Sequence, residues 1–123
     1  MSTTAPDHRI VVGIDGSQPS RRALSWAAEE AVRRRLSLHL LHSYQVLTPY
    51  AGAGSYTDLT DVDTERIRSA AGQVVDDAAA TVRQLAPGVA VTTELAEGSA
   101  AQALVEASRT ADTIVLGARG RGR

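Results

Sequence analysis

The chain has 123 residues, of which 43% are apolar and 22% are charged, and its formal net charge is −1. This composition argues against wholesale disorder, and the near-zero charge gives no general attraction to nucleic acid or a membrane surface. The sequence has no cysteine, which excludes disulfides and thiolate metal sites and fits a cytoplasmic location. No apolar run approaches the roughly 18 residues of a membrane helix. We predict a loose N-terminal tail over residues 1–8 and one domain over residues 9–123.

The first half of the chain alternates between strand and helix patterns. An apolar run over residues 9–14 predicts a strand, and the turn sequence Asp-Gly-Ser follows it, with Ser17 as the N-cap of a helix. Helical spacing then predicts a helix over residues 20–35, whose inward face holds Leu24, Ala27, Ala28, Ala31 and Val32. The single tryptophan, Trp26, lies on this helix and is expected to pack in the hydrophobic core. Residues 36–43 predict the second strand.

The second half of the chain repeats this alternation after a long loop over residues 46–62. A helix is predicted over residues 63–86, ended by Pro87-Gly88, and a strand over residues 89–95. Ser99 and Gln102 have the spacing of a capping box that opens a third helix, with Leu104 and Val105 on its buried side. Residues 113–116 predict the fourth strand, and the sequence GARGRGR follows it.

The order β-α-β-α-β-α-β predicts an α/β fold, in which an open parallel sheet is doubly wound, with helices on both faces. In such sheets a ligand binds beyond the carboxyl ends of the strands, where the strand order reverses. Asp15 and Gly117 lie just past predicted strands, and Ser43 lies at the end of one. The sequence therefore predicts a ligand site formed by these three residues.

The glycine-rich segment after the fourth strand is typical of a loop that binds phosphate through its backbone amides. Arg119, Arg121 and Arg123 add positive charge to it. An exposed linker and an arginine-glycine tail for nucleic acid are the alternatives, and the second has little support because no aromatic residue is interleaved. Asp15 has two interpretations as well. Its carboxylate can accept a hydrogen bond from a ribose hydroxyl or a base amine, or it can bond its own turn.

Other polar residues give no catalytic or metal site. His39 and His42 lie three apart in one strand, so they point to opposite faces and cannot share a metal, and structural roles are expected for both. No Ser-His-Asp set can be assembled by spacing. The sequence has no lysine, so it has no Walker A loop.

Four segments together resemble the universal stress protein family. They are IVVGIDGSQPSRRALSWAAEEA, LSLHLLHSYQV, EGSAAQALVEAS and ADTIVLGARGRG, and the resemblance extends over residues 9–122. It implies a Rossmann-like fold of the adenine nucleotide alpha hydrolase type with strand order 3-2-1-4 and a fifth strand. One branch of that family binds ATP, and magnesium commonly accompanies the phosphates.

The resemblance also implies which residues would bind the nucleotide. Asp15, with Gly13 and Ile14 beside it, would meet the adenosine end, and Ser43 would lie against adenine. Gly98 would border the ribose. Gly117, Arg119 and Gly120 would begin the phosphate loop, whose family pattern is G-x-x-G, nine residues, then Gly-Ser or Gly-Thr.

The sequence departs from this pattern because it ends at Arg123, inside the phosphate loop. The second half of the loop, a fourth helix and the fifth strand, through which family members commonly dimerise, would follow that residue. We therefore expect the 123 residues to be part of a longer, homodimeric protein. The expected function is a nucleotide-binding regulatory module with at most slow ATP hydrolysis. An interaction protein that binds no nucleotide, and a binder of cyclic AMP or AMP, are the alternatives.

Overall fold

Seven regular elements form the part of the chain that the computed structural model describes, residues 9–45 and 61–117. The strands are β1 (Arg9–Gly13), β2 (Ser37–Tyr44), β3 (Val91–Glu97) and β4 (Thr113–Leu116), and the helices are α1 (Gln18–Arg34), α2 (Asp61–Leu85) and α3 (Ala100–Ser108). The predicted order of strands and helices is confirmed. Strand β3 begins two residues later than predicted, because the turn after Pro87 extends through Val89. The predicted N-terminal tail and most of the predicted long loop lie outside the described residues.

The four strands form one parallel sheet in the order β3-β2-β1-β4, as the family resemblance implies. Strand β1 lies between β2 and β4, with Gly13 opposite Leu41 on one side and Leu116 on the other. The chain moves in one direction from β1 to β3 and then crosses to β4. Strand order therefore reverses between β1 and β4, and the carboxyl ends of β1, β2 and β4 meet at one edge of the sheet.

The two faces of the sheet are packed to different extents. Helices α1 and α2 cover one face, where a cluster of fourteen buried residues includes Ile10, Leu24, Leu40 and Val82. Helix α3 covers the other face, where the buried cluster is Val11, Leu41 and Ala107, with half-buried neighbours such as Leu104. The main hydrophobic core thus lies between the sheet and the first two helices.

The helix ends follow the capping residues of the sequence. Ser17 caps α1, and its hydroxyl oxygen accepts a hydrogen bond from the Ser20 amide at 3.2 Å. Ser99 caps α3 in the same way, with the Gln102 amide at 3.2 Å. Helix α1 ends on Arg35, which adopts a left-handed conformation with a φ of 58°. Both N-caps were predicted from the sequence and are confirmed.

Four large apolar side chains of the helices are exposed. Trp26 is 51% exposed and Val105 is 57% exposed, so the sequence-based prediction was wrong for both. Val32 and Leu85 are also more than half exposed. A step of two residues turns a helix by about 200°, so Trp26 and Val105 lie away from the faces that bury Ala28 and Ala107. Periodicity identifies the apolar face of a helix, but it does not show how wide a strip of that face is covered.

Candidate functional site

A pocket of about 190 Å³ opens where the carboxyl ends of β1, β2 and β4 meet. Its lining includes five of the residues predicted from the sequence: Gly13, Ile14, Asp15, Ser43 and Gly117. The fold brings them together because β2 and β4 both pair with β1, so residues at or just past the carboxyl ends of all three strands lie side by side. Ser43 is the penultimate residue of β2. The remaining lining comes mainly from the first turns of α1 and α3 and from apolar side chains between them.

One wall of the pocket is apolar and formed by helix α3 and the end of β4. Leu104 and Leu116 both approach Gly13, and Leu41, Ala100 and Ala103 complete the lining on this side. Leu116 is 55% exposed, so this wall extends to the surface. An apolar wall beside a few polar groups suits a planar heterocycle. Burial of the ring's faces removes apolar surface from water, and the polar groups can bond the atoms at the ring's edge.

Asp15 is an exposed residue that lines the pocket two positions after the end of β1. Its Oδ1 accepts a hydrogen bond from the Ser17 amide at 2.8 Å, so the carboxylate forms the turn that the sequence offered as one interpretation. A carboxylate has two oxygens and about four lone-pair positions. The turn therefore orients the side chain. A bond to the turn does not exclude a bond from a ligand hydroxyl to the same carboxylate, so the two interpretations of Asp15 are compatible.

Gly117 lies against the first turn of helix α1. A Cβ atom at this position would be 2.4 Å from the carbonyl carbon and oxygen of Pro19 and 2.6 Å from the Ser20 nitrogen. These are backbone atoms, so rotation of a side chain cannot relieve the overlap. The structure thus gives a packing reason for glycine at this position, beside the phosphate-loop reason that the sequence suggested.

Gly98 does not line this pocket. It lies in the turn between β3 and α3, with a φ of 118°, and its amide donates to the Tyr44 carbonyl at 2.8 Å. It borders a separate, more polar cleft between α3 and β3 that also contains Glu94 and Glu106. Through the Tyr44 carbonyl, Gly98 is nevertheless close to the end of β2 that carries Ser43, and its contact with a ribose stays a prediction.

Two further polar residues line the pocket that sequence reasoning assigned no functional role. Ser20 is only 2% exposed, and its Oγ accepts a hydrogen bond from the Asp15 amide at 3.2 Å. The Nδ1 atom of His42 lies 2.6 Å from the Ile14 carbonyl oxygen. The available signal for Ser20 was a hydroxyl on the otherwise apolar face of α1. For His42 it was a position beside Ser43 at the end of a strand.

Arg119 and Gly120, the remaining residues of the predicted site, lie outside the described residues. Within residues 9–45 and 61–117, no group of three or more His, Asp or Glu side chains has an arrangement that could hold a metal ion. Over the same ranges, no helix combines the length and hydropathy needed to span a membrane.

Comparison with known proteins assigns the sequence to a family. The family model described as "Universal stress protein family" matches residues 8–123. A universal stress protein of Mycobacterium tuberculosis is 32% identical to the chain over 113 residues, which is 92% of the chain. The match spans 36% of that relative's own length, so the chain corresponds to about a third of the curated protein.

Solved structures give the same result for the fold. A protein from the universal stress protein family of Burkholderia pseudomallei superposes with a TM-score of 0.73 and 28% identity, covering 94% of this chain and 85% of that one. The universal stress protein from Archaeoglobus fulgidus in complex with dAMP superposes with a TM-score of 0.63 and 24% identity, covering 92% of this chain and 82% of that one. At that identity the second match supports the fold alone.

Proposed function

The chain belongs to the universal stress protein family, and we propose that its domain binds an adenine nucleotide, principally ATP, as a regulatory module. The observation that supports this most directly is the pocket at the reversal of strand order, which Asp15 and Ser43 line together with apolar side chains of α3 and β4. The dAMP complex of the Archaeoglobus relative makes an adenine nucleotide the first ligand class to test.

The pocket suits the nucleoside part of the ligand. In the proposed arrangement the adenine ring packs on the wall formed by Leu104 and Leu116, and its edge lies near Ser43. The Asp15 carboxylate accepts a hydrogen bond from a ribose hydroxyl, a charge-assisted bond that is stronger than a neutral one. No arginine is among the described residues that line the pocket, and the contacts proposed there are therefore with the base and the sugar.

The phosphates of ATP extend away from this pocket in the proposed complex, toward the segment after Gly117. Arg119 and Gly120 are the proposed phosphate ligands, on the sequence pattern alone. Magnesium, where it accompanies ATP, would be held through the phosphate oxygens. We further propose that nucleotide occupancy changes the protein's contacts with partners, including a second copy of the full-length chain, and that hydrolysis is slow at most.

Isothermal titration with ATP, AMP and adenosine tests the proposal, with Asp15→Asn as the informative variant. Asparagine keeps a side-chain oxygen that can accept the Ser17 amide, so the turn is retained while the charge is removed. We expect micromolar binding of ATP by the unaltered chain and an affinity about tenfold or more lower in Asp15→Asn, because hydrogen bonds to charged groups are the stronger ones.

Asp76→Asn is the matched control, since it makes the same change on an exposed position of α2. It should bind ATP as the unaltered chain does. No heat with millimolar ATP, AMP or adenosine would contradict nucleotide binding and favour an interaction protein of the same fold. Equal binding by Asp15→Asn and the unaltered chain would remove Asp15 from the site.

A further inference from the structure

The peptide group that joins Ile14 to Asp15 is held on both of its polar atoms by side chains. On one side, the Asp15 amide donates to Ser20 Oγ on helix α1 at 3.2 Å. On the other side, His42 Nδ1 on strand β2 lies 2.6 Å from the Ile14 carbonyl oxygen. A carbonyl oxygen can only accept, so Nδ1 of His42 carries the hydrogen. Two elements of the fold therefore fix the plane of one peptide group.

This peptide lies where the chain leaves the sheet. The Ile14 amide still donates to the Leu41 carbonyl of β2 at 2.8 Å, whereas the next amide, that of Asp15, turns to Ser20 instead. The direction of a side chain is set by the backbone dihedral angles on either side of its Cα atom. Fixing the peptide before Asp15, while the Ser17 amide holds Oδ1, therefore limits the directions in which the carboxylate can point.

The packing around Ser20 keeps this clamp, the pair of hydrogen bonds that Ser20 and His42 form with the Ile14–Asp15 peptide, from changing its geometry. Ser20 is almost fully buried, on the face of α1 where Ala23, Leu24 and Ala27 fill equivalent positions. A buried hydroxyl costs free energy unless it is hydrogen-bonded, so its bond to the Asp15 amide is the compensation for its burial there. The end of β4 at Gly117 packs directly on the Ser20 backbone nitrogen, so this turn of the helix has little room to shift.

We propose that Ser20 and His42 are positioning residues that hold the Asp15 carboxylate in the direction needed to accept a ribose hydroxyl. The proposal rests on the proposed function, in that it takes the ligand to be a nucleoside or nucleotide. Its physical basis is preorganisation: a carboxylate already fixed in the binding geometry loses less conformational freedom when the ligand arrives.

The test compares AMP with free adenine in the full chain carrying Ser20→Ala or His42→Leu. Either change should lower AMP affinity about threefold to tenfold, the usual effect of losing one neutral hydrogen bond. Adenine has no ribose, so its affinity should not change. In an Asp15→Asn background, Ser20→Ala should cause no further loss of AMP affinity, because the charged group that it positions is absent.

His42→Asn separates the hydrogen bond from the packing of the imidazole ring. The side-chain amide of asparagine can place an N–H near the position of Nδ1, so His42→Asn should recover most of the AMP affinity lost in His42→Leu. Thr81→Ala is the control for loss of a hydroxyl, since the Thr81 hydroxyl bonds only its own helix at the Asp77 carbonyl. It should leave the affinities for AMP and adenine unchanged.

Hydrogen exchange of the Asp15 amide tests the clamp without any ligand. In the unaltered chain this amide should exchange slowly, and Ser20→Ala should speed its exchange at least tenfold relative to Thr81→Ala. If Ser20→Ala and His42→Leu bind AMP as the unaltered chain does, the positioning role is wrong even though nucleotide binding stands. If the unaltered chain binds neither AMP nor ATP, the proposed function fails, and rapid exchange of the Asp15 amide would show that the peptide before Asp15 is not held either.

Discussion

The two faces of the sheet differ in what they contribute to the molecule. On the face covered by α1 and α2, fourteen residues are buried in one cluster, and side chains such as Leu40 and Val82 are completely inaccessible. On the face covered by α3, only Val11, Leu41 and Ala107 form the buried cluster, and Val105 of α3 is exposed. The first face therefore accounts for most of the hydrophobic stabilisation, and the second supplies the apolar wall of the candidate site.

This difference suggests a division of labour within a small domain. On the α3 side of the pocket, Ala103 and Leu104 are half-buried and Leu116 is mostly exposed, so these side chains remain accessible to a ligand at the cost of contributing less to folding. The residues that orient Asp15 come instead from α1 and β2, which belong to the well-packed face. A rigid framework thus positions the polar group, while the looser face offers apolar contact.

Two matched leucine truncations should give the largest contrast between the faces. Leu40→Ala removes a fully buried side chain from the main core and should lower the free energy of unfolding by about 2–5 kcal/mol. Leu104→Ala removes a half-buried side chain and should cost about 1 kcal/mol, but it should weaken AMP binding about threefold or more because it removes part of the apolar wall.

Urea denaturation gives the two stabilities, and titration with AMP under conditions where each variant is folded gives the affinities. The leucines serve as controls for each other, since the chemical change is the same. Equal losses of stability would mean that the α3 face is as important to folding as the other face. Unchanged AMP affinity in Leu104→Ala would remove that side chain from the site.

Most of the fold was predictable because it depends on local patterns. The predicted strand boundaries lie within two residues of the observed ones, and Ser17 and Ser99 cap α1 and α3 as predicted. Asp15, Ser43 and Gly117 were predicted to form one site because ligands bind beyond the carboxyl ends of parallel strands, and all three line one pocket. These features depend on periodicity, capping and topology, each of which is visible in a single sequence.

The features that could not be predicted depend on how elements pack together. The roles of Ser20 and His42 depend on a helix turn and a strand end that meet at one peptide group. Ser20 is five positions from its partner Asp15, and His42 is twenty-eight positions from its partner Ile14. No pattern along the chain encodes that meeting.

Alanine substitutions at two glycines should give an effect of intermediate size on stability, because one glycine is crowded by backbone atoms and the other is not. Gly117→Ala should lower stability by about 1–3 kcal/mol, because its Cβ atom would overlap the backbone of Pro19 and neither strand nor helix can move freely. Gly88→Ala, in the turn after α2, has no atom within 4 Å of the new methyl group and should change stability by less than about 0.5 kcal/mol.

Thermal or urea unfolding of the two alanine variants tests this expectation. A Gly117→Ala chain as stable as the unaltered one would show that the end of β4 can separate from α1. The comparison also bears on the site, since a larger residue at Gly117 changes the packing beside Ser20. Loss of ligand binding on substituting Gly117 would therefore be evidence about folding before it is evidence about phosphate contacts.

The smallest contrast is between the two helix caps, which make the same hydrogen bond on opposite faces. Ser17→Ala should cost about 1 kcal/mol of global stability, because α1 is packed on the main core and unfolds with it. Ser99→Ala should cost about half as much, since α3 has nine residues and only Ala107 buried, so its first turn can fray while the rest of the domain stays folded.

Hydrogen exchange distinguishes fraying from global unfolding. In Ser99→Ala the amides of the first turn of α3 should exchange faster while those of β1 and α1 keep their protection, whereas Ser17→Ala should speed exchange throughout the main core. Because Ala100 and Ala103 line the pocket, bound AMP should slow the exchange that Ser99→Ala accelerates. Equal losses of stability, with uniform changes in exchange, would mean that α3 folds as one unit with the other face and that the two faces differ only in the amount of buried surface.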